Sequence, residues 1–219
     1  MTNNMAELRS WLLAEHDGTV CADRLDVIFE TLRQIQADGV QGDLVELGCF
    51  KGAMALWQRA ILDELGGPTR TIHVFDSFAG LPAPTGADSD YLSAGDLVAS
   101  PADVLAIHDK WTKRAPVIHP GWFEDTLPIG LPERIAFAYF DGDLYTSIMT
   151  SLTHCVPRIA PRGKIIIDDY ADLDENPRAW DGLPGVKRAS DDFFGTPSPI
   201  TVLAGEGDLA FGLYTAAAS

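Results

Sequence analysis

Ten residues, Asp43-Leu44-Val45-Glu46-Leu47-Gly48-Cys49-Phe50-Lys51-Gly52, constrain this chain more than any other stretch. Leu44, Val45 and Leu47 supply the apolar run of a short strand covered on both faces. Gly48 stands where the chain must turn sharply and where a ligand can approach bare backbone. Gly52 follows four residues on, in the first turn of a helix expected over Ala53–Leu65, where the missing side chain allows close packing. Strand, glycine turn and helix N-terminus together form a general nucleotide cradle, with amide N–H groups aimed at the ligand. The three-glycine G-x-G-x-x-G spacing of a pyrophosphate site is absent, and Glu46 at the strand end is acidic. An acid there opposes a diphosphate and suits a ligand with a cationic or hydroxyl-bearing part. S-adenosylmethionine, with its amino group, sulfonium and ribose hydroxyls, fits better than NAD. An ordinary strand-to-helix turn of an α/β domain is the plainer alternative.

The rest of the chain repeats the same alternation. A second strand, Arg70–Asp76, ends in an acid, and an acid at that position can grip both ribose hydroxyls or cap the next turn of chain. Val117–His119 is a short third strand leading into Trp122 and Phe123, an aromatic pair that can stack an adenine ring or plug the core. Ile135–Phe140 and Gly163–Ile167 are further buried strands, with helices expected from Pro101 to near Lys113 and from about Thr146 to Val156. Strands alternating with helices predict a parallel, doubly wound sheet. Pro199–Leu203 and Asp208–Tyr214, around Gly205-Glu206-Gly207, predict a closing antiparallel hairpin, and Ala216–Ser219 a frayed tail. Residues 77–100 have no pattern of their own and are rich in Gly, Pro, Ser and Asp, as functional loops often are. Two amphipathic helices, 6–15 and Asp23 to about Ala37, precede the first strand. The 219 residues are expected to form one domain, with 1–40 a helical cap or lid, or a dimer surface, and 41–219 the α/β core.

Charge narrows the partners. With 32 acids against 16 bases the net charge is −16, which repels nucleic acid and anionic lipid and favours a neutral or cationic small molecule. No apolar run approaches a membrane span, and Met1–Met5 lacks the basic and apolar regions of a signal peptide, so the cytoplasm is expected.

The acids also cluster in sequence. Asp141 and Asp143 end one buried strand, and Asp168 and Asp169 end the next. Ligands of open parallel sheets bind beyond the carboxyl ends of the strands, so four carboxylates are expected to converge there. Such crowding needs a proton or a cation. Hard divalent ions take carboxylate and water oxygens, which favours Mg²⁺ over zinc in the absence of nearby His or Cys. Helix capping is the alternative for a single strand-end Asp. His108 and His119 are further candidates for a base.

Taken in order, Leu44–Gly52, Asp76-Ser77-Phe78-Ala79-Gly80-Leu81-Pro82, Gly121–Pro128, Asp141-Gly142-Asp143-Leu144-Tyr145 and Ile167–Tyr170 resemble the macrocin O-methyltransferase (TylF/MycF-type) family. The resemblance implies a Rossmann-like class I methyltransferase fold, S-adenosylmethionine and Mg²⁺ as cofactors, and methylation of a hydroxyl, often on a deoxysugar of an antibiotic. It implies Asp141, Asp168 and Asp169 as metal ligands and Asp143 as base. Glu46, Gly48 and Asp76 match cofactor positions, and Lys51, Gly52 and Ser77 lie in the same motifs. A nicotinamide oxidoreductase and a non-catalytic binding protein of the same fold remain as alternatives. A homodimer is compatible with either helical role.

Overall fold

The computed structural model describes residues 3–67 and 69–218, so Met1, Thr2, Pro68 and Ser219, which belong to the expected leaderless start, single domain and tail, lie outside the described residues. In chain order the elements are α1 (Asn3–Glu15), α2 (Ala22–Ala37), β1 (Asp43–Leu47), α3 (Ala53–Leu65), β2 (Ile72–Asp76), α4 (Pro101–Lys110) and β3 (Val117–Pro120). They continue with α5 (Phe123–Gly130), β4 (Ile135–Phe140), α6 (Tyr145–Cys155), β5 (Ile159–Asp168), α7 (Pro184–Phe194), β6 (Thr201–Leu203) and β7 (Phe211–Thr215). The sheet order is β3-β2-β1-β4-β5-β7-β6. Strands β1 to β5 pair in parallel, and the β6–β7 hairpin closes the sheet antiparallel to β5.

Alternation along the strands builds two cores. Leu44, Ile72, Val74, Phe137, Tyr139 and Ile166 face α1, α2 and α3. Val45, Leu47, Phe75, Phe140, Ile165 and Ile167 face α5, α6 and α7. Burying one such side chain is worth about 1.5–3 kcal/mol, so both faces must be covered for the sheet to stand. The Trp57 indole N–H donates to the Leu25 carbonyl at 2.9 Å and fastens α2 to α3.

Several boundaries differ from the sequence expectation for local reasons. Helix α5 occupies the stretch after β3, for which no helix was read: Trp122 caps it, Glu124 and Asp125 favour its first turn, and Pro128 falls inside it. Helix α7, for which no periodicity was read, starts with Pro184 in its first turn. Helix α4 stops at Lys110, and Thr112 takes φ +50° just beyond. The tail does not fray at Ala216, whose N–H donates to the Gly163 carbonyl at 2.9 Å. No helix among the described residues is long and apolar enough to cross a membrane.

The order of strands reverses between β1 and β4, the switch point at which a crevice opens above a parallel sheet. Gly48 makes that crevice possible. It has φ +85°, and a Cβ there would run into the Asp141 backbone carbonyl. Gly48→Ala is therefore expected to cost roughly 2–4 kcal/mol, through backbone strain and separation of the β1 and β4 ends. Urea denaturation checks this, and a midpoint equal to the wild type would contradict it.

Candidate active site

A cavity of about 860 Å³ opens above the carboxyl ends of β1, β2, β4 and β5. Of the residues singled out from sequence, Glu46, Gly48, Lys51, Asp76, Ser77, Trp122 and Phe123 line it together with Asp141, Asp143 and Asp169, whereas Gly52 and Asp168 do not. Gly52 caps α3 at φ +84°, with Val104 against it where a side chain would go.

The turn after β1 is held by the acid that ends β2. Asp76 accepts from the Phe50 N–H at 2.9 Å and from the Phe78 N–H at 2.8 Å, so it braces two cavity-lining turns. Both residues have positive φ, +46° and +51°, a strain that persists only where surroundings hold it. Glu46 points toward α3 and accepts from Gln58 Nε2 at 2.5 Å. Burial, then the neighbouring Asp76, pushes its carboxyl well above the usual range. Glu46 is thus shared with the helix and not a free anion. Ser77 closes its own loop by donating to the Gly80 carbonyl at 2.6 Å. Lys51 lies 5.0 Å over the Phe50 ring. Trp122 remains 37% exposed at the cavity wall.

Opposite this turn, one carboxylate oxygen from each of Asp141, Asp143 and Asp169 lies within 4.8 Å of the others. Burial and the charges of neighbouring aspartates raise all three carboxyls, with Asp143 pushed up to about 7. Asp143 and Asp169 sit at φ +59° and +56°. Gly142 shows no positive φ, so Asp143 and not the neighbouring glycine takes the left-handed backbone here.

Asp168 stands behind this trio and is already engaged. Its Oδ1 accepts from the Asp169 N–H at 2.9 Å and lies 2.9 Å from Arg24 Nη2, and its Oδ2 accepts from the Tyr139 hydroxyl. The two histidines considered as bases lie outside the cavity lining. His119 is 3.0 Å from His73 and stacked on Phe75, and His108 is buried against the Val104 carbonyl at 2.8 Å.

Three contributors carry no motif. The α1–α2 turn, Asp17 to Cys21, lines the cavity. Arg24 in the first turn of α2 reaches the acids, and a cation at a helix N-terminus is a signal that the helix itself does not explain. Tyr139 is a polar-tipped residue in the otherwise apolar strand Ile135–Phe140, and a buried phenol needs a partner. An apolar wall of Leu92, Leu183, Tyr91 and Trp180 completes the cavity, with the last two rings edge-on at 5.0 Å.

With this geometry in place, comparison with known proteins is informative. Residues 17–193 match the family model described as Macrocin-O-methyltransferase (TylF). The chain is 34% identical, over 96% of its own length and 80% of the relative's, to the 8-demethyl-8-(2,3-dimethoxy-alpha-L-rhamnosyl)-tetracenomycin-C 4'-O-methyltransferase of Streptomyces olivaceus. It is 36% identical, over 67% of its length and 62% of the relative's, to the mycinamicin III 3''-O-methyltransferase of Micromonospora griseorubida. Among solved structures, the O-methyltransferase NovP superposes with a TM-score of 0.71 at 26% identity, covering 89% of this chain and 80% of that one.

The pH dependence of stability arises from the raised carboxyls. An unfolded Asp titrates near 4, so between about pH 4 and 7 folded Asp143 keeps a proton that the unfolded chain has released. Its contribution is full below about pH 4 and is lost as the pH rises through about 7. In chelator, the unfolding midpoint should fall between about pH 5 and pH 8, and Asp143→Asn should flatten that slope. Thermal unfolding across the range checks it; equal slopes in the two proteins would contradict it.

Proposed function

The chain belongs to the Macrocin-O-methyltransferase (TylF) family, and from that premise we propose that it transfers a methyl group from S-adenosylmethionine to a sugar hydroxyl of a glycosylated natural product, with Mg²⁺ bound beside the acceptor. Family membership makes it an O-methyltransferase and leaves the nicotinamide oxidoreductase and the non-catalytic alternative without support. One observation carries the proposal: three carboxylates, Asp169 buried and Asp141 and Asp143 half-buried, converge at the rim of the cavity that the β1–α3 turn also lines. The Streptomyces olivaceus relative is described as methylating a rhamnosyl-bearing compound, which supports a sugar hydroxyl as the acceptor.

The donor set fits a hard divalent ion. It consists of carboxylate oxygens, and desolvation, then the charge of neighbouring aspartates, raises the Asp141 and Asp169 carboxyls. We assign Asp141 and Asp169 of this cluster to the ion together with Asp168, which must leave Arg24 to reach it, and Asp143 to the proton. A divalent ion there supplies the positive charge that lowers the pKa of an acceptor hydroxyl. Asp143, pushed up to about 7, has the acidity at which a general base works best near neutral pH. The Gly48 turn, braced by Asp76, would hold the donor, and Trp122 and Phe123, which line the same cavity, would offer aromatic surface to its adenine. The apolar wall of Tyr91, Leu92, Trp180 and Leu183 excludes water and receives the acceptor. When bound, S-adenosylmethionine would supply the methyl group, its carbon–sulfur bond breaking as the acceptor oxygen bonds to the methyl carbon and S-adenosylhomocysteine leaving, while the hydroxyl proton would pass to the Asp143 carboxylate. Holding both reactants in line supplies much of the acceleration. The turn from Asp17 to Cys21 makes the N-terminal helices part of the acceptor enclosure as well as packing for α3.

Asp143→Asn is expected to lower turnover by about 10²–10⁴-fold while metal affinity stays within a few-fold of the wild type. Calorimetric metal titration alongside methyl transfer to a panel of glycosides tests this; full activity after exhaustive chelation would sink the metal assignment. Asp76→Ala is expected to weaken S-adenosylhomocysteine binding by about 10–100-fold, since loss of a hydrogen bond to a charged group costs roughly 1.5–3 kcal/mol. Calorimetry with S-adenosylhomocysteine and NAD reads this. Unchanged affinity in the variant, or tight binding of NAD alone, would contradict the cofactor assignment.

A further inference from the structure

Among the described residues, Arg24 is the cation paired with the two acids at the end of β5. Its Nη2 lies 2.9 Å from Asp168 Oδ1 and 3.0 Å from Asp169 Oδ1, so a single nitrogen bridges two carboxylates. Its Nη1 donates to the Thr19 carbonyl at 3.1 Å, and Thr19 lies in the turn that lines the cavity. One guanidinium therefore links the acid cluster to the cavity wall. Arg24 sits in the first turn of α2, where the helix dipole disfavours positive charge, so the acids and not the helix account for it.

The oxygens that Arg24 occupies are ones a metal would need. Asp169 belongs to the carboxylate trio, and the second oxygen of Asp168 is taken by Tyr139. A guanidinium nitrogen approaches an oxygen at about 3 Å, whereas Mg²⁺ binds oxygens at about 2.0–2.1 Å and carries twice the charge. Two cations cannot share these oxygens without strong repulsion. We infer that Arg24 is a displaceable counter-cation, which neutralises the cluster while no metal is bound and yields Asp168 and Asp169 to a divalent ion, so that metal loading is coupled to the Asp17–Cys21 wall of the cavity. This inference rests on the metal assignment made above. Helix α2 has anchors of its own: the Leu25 carbonyl accepts from Trp57, and the Asp23 carboxylate accepts from the Gly207 N–H at 2.8 Å. Release of Arg24 therefore frees the Thr19 turn and leaves the helix in place.

The test uses Mn²⁺ as probe on the full chain without cofactor. Arg24→Met keeps the apolar stem and removes the charge; Arg24→Lys keeps the charge. Calorimetry is expected to show Mn²⁺ binding at least about tenfold tighter in Arg24→Met than in wild type, with Arg24→Lys close to wild type. Hydrogen exchange of the amides at 17–24 is expected to quicken in wild type on adding Mn²⁺, a readout that needs no variant to fold. In Arg24→Met those amides should exchange quickly with or without the ion. Equal or weaker Mn²⁺ binding in Arg24→Met, or wild-type exchange that ignores Mn²⁺, would overturn the inference. The metal assignment fails separately: it falls if Asp169→Ala binds Mn²⁺ as wild type does, and the counter-cation role falls with it. Mn²⁺ binding that needs Asp169 but is indifferent to Arg24 removes the counter-cation role alone.

Discussion

Like charges forced together at the buried end of a parallel sheet are the condition on which the rest of this molecule turns. Strands β4 and β5 run side by side, and each delivers two aspartates to the same edge. Two unit charges about 4 Å apart repel by about 4 kcal/mol at an effective dielectric near 20. Every feature around the rim answers that repulsion. Arg24 brings a positive charge from α2, Tyr139 donates its hydroxyl from within β4, and the backbone N–H of Asp169 donates to Asp168. Asp143 and Asp169 adopt left-handed backbone, which a short acidic side chain tolerates better than most. A fold that met this cost without use for the charge would gain by replacing the acids with apolar residues.

The same edge explains why the cavity has two unlike walls. On the β1 side, Gly48 lets the ends of β1 and β4 approach, and Asp76 pins the adjoining turns through Phe50 and Phe78. On the far side, the long irregular segment after β2 is anchored at several points. Asp88 accepts from the Tyr145 N–H at 2.8 Å at the start of α6, Ser89 donates to the Gly182 carbonyl at 2.5 Å, and Tyr91 meets Trp180. A segment without secondary structure thereby contributes Tyr91 and Leu92 to the cavity lining. Under the proposed function, backbone and carboxylates would hold the reacting atoms, and aromatic and aliphatic side chains would close the space around them.

Much of this was legible in the residues because the signals were local. The bounds of β1, α3 and β4 come from apolar runs ended by glycine or acid, and the closing hairpin from two β-rich runs around Gly205-Glu206-Gly207. The convergence of Asp141, Asp143 and Asp169 comes from strand ends in a parallel sheet. What stayed hidden depends on contacts distant in sequence. Arg24 meets its acids 144 and 145 positions away (168 − 24 and 169 − 24), and no spacing rule reaches that far. Asp76 offered a ribose or a cap to a reader of the sequence, and in the fold it braces a turn 26 residues earlier. Helix α5 was obscured by an internal Pro128 and a tryptophan cap without a side-chain hydrogen bond, both weak as helix signals.

We propose that the edge formed by β4 and β5 holds a divalent ion beside a donor seated over β1. Anomalous diffraction from crystals grown with Mn²⁺ and S-adenosylhomocysteine tests it most directly. One anomalous peak bonded to carboxylate oxygens of Asp141, Asp168 and Asp169 is expected, with the Arg24 guanidinium withdrawn and the nucleoside above the Gly48 turn. A peak elsewhere, or bound S-adenosylhomocysteine above the Gly48 turn with Arg24 still bridging Asp168 and Asp169 and no ion between the strand ends, would contradict it.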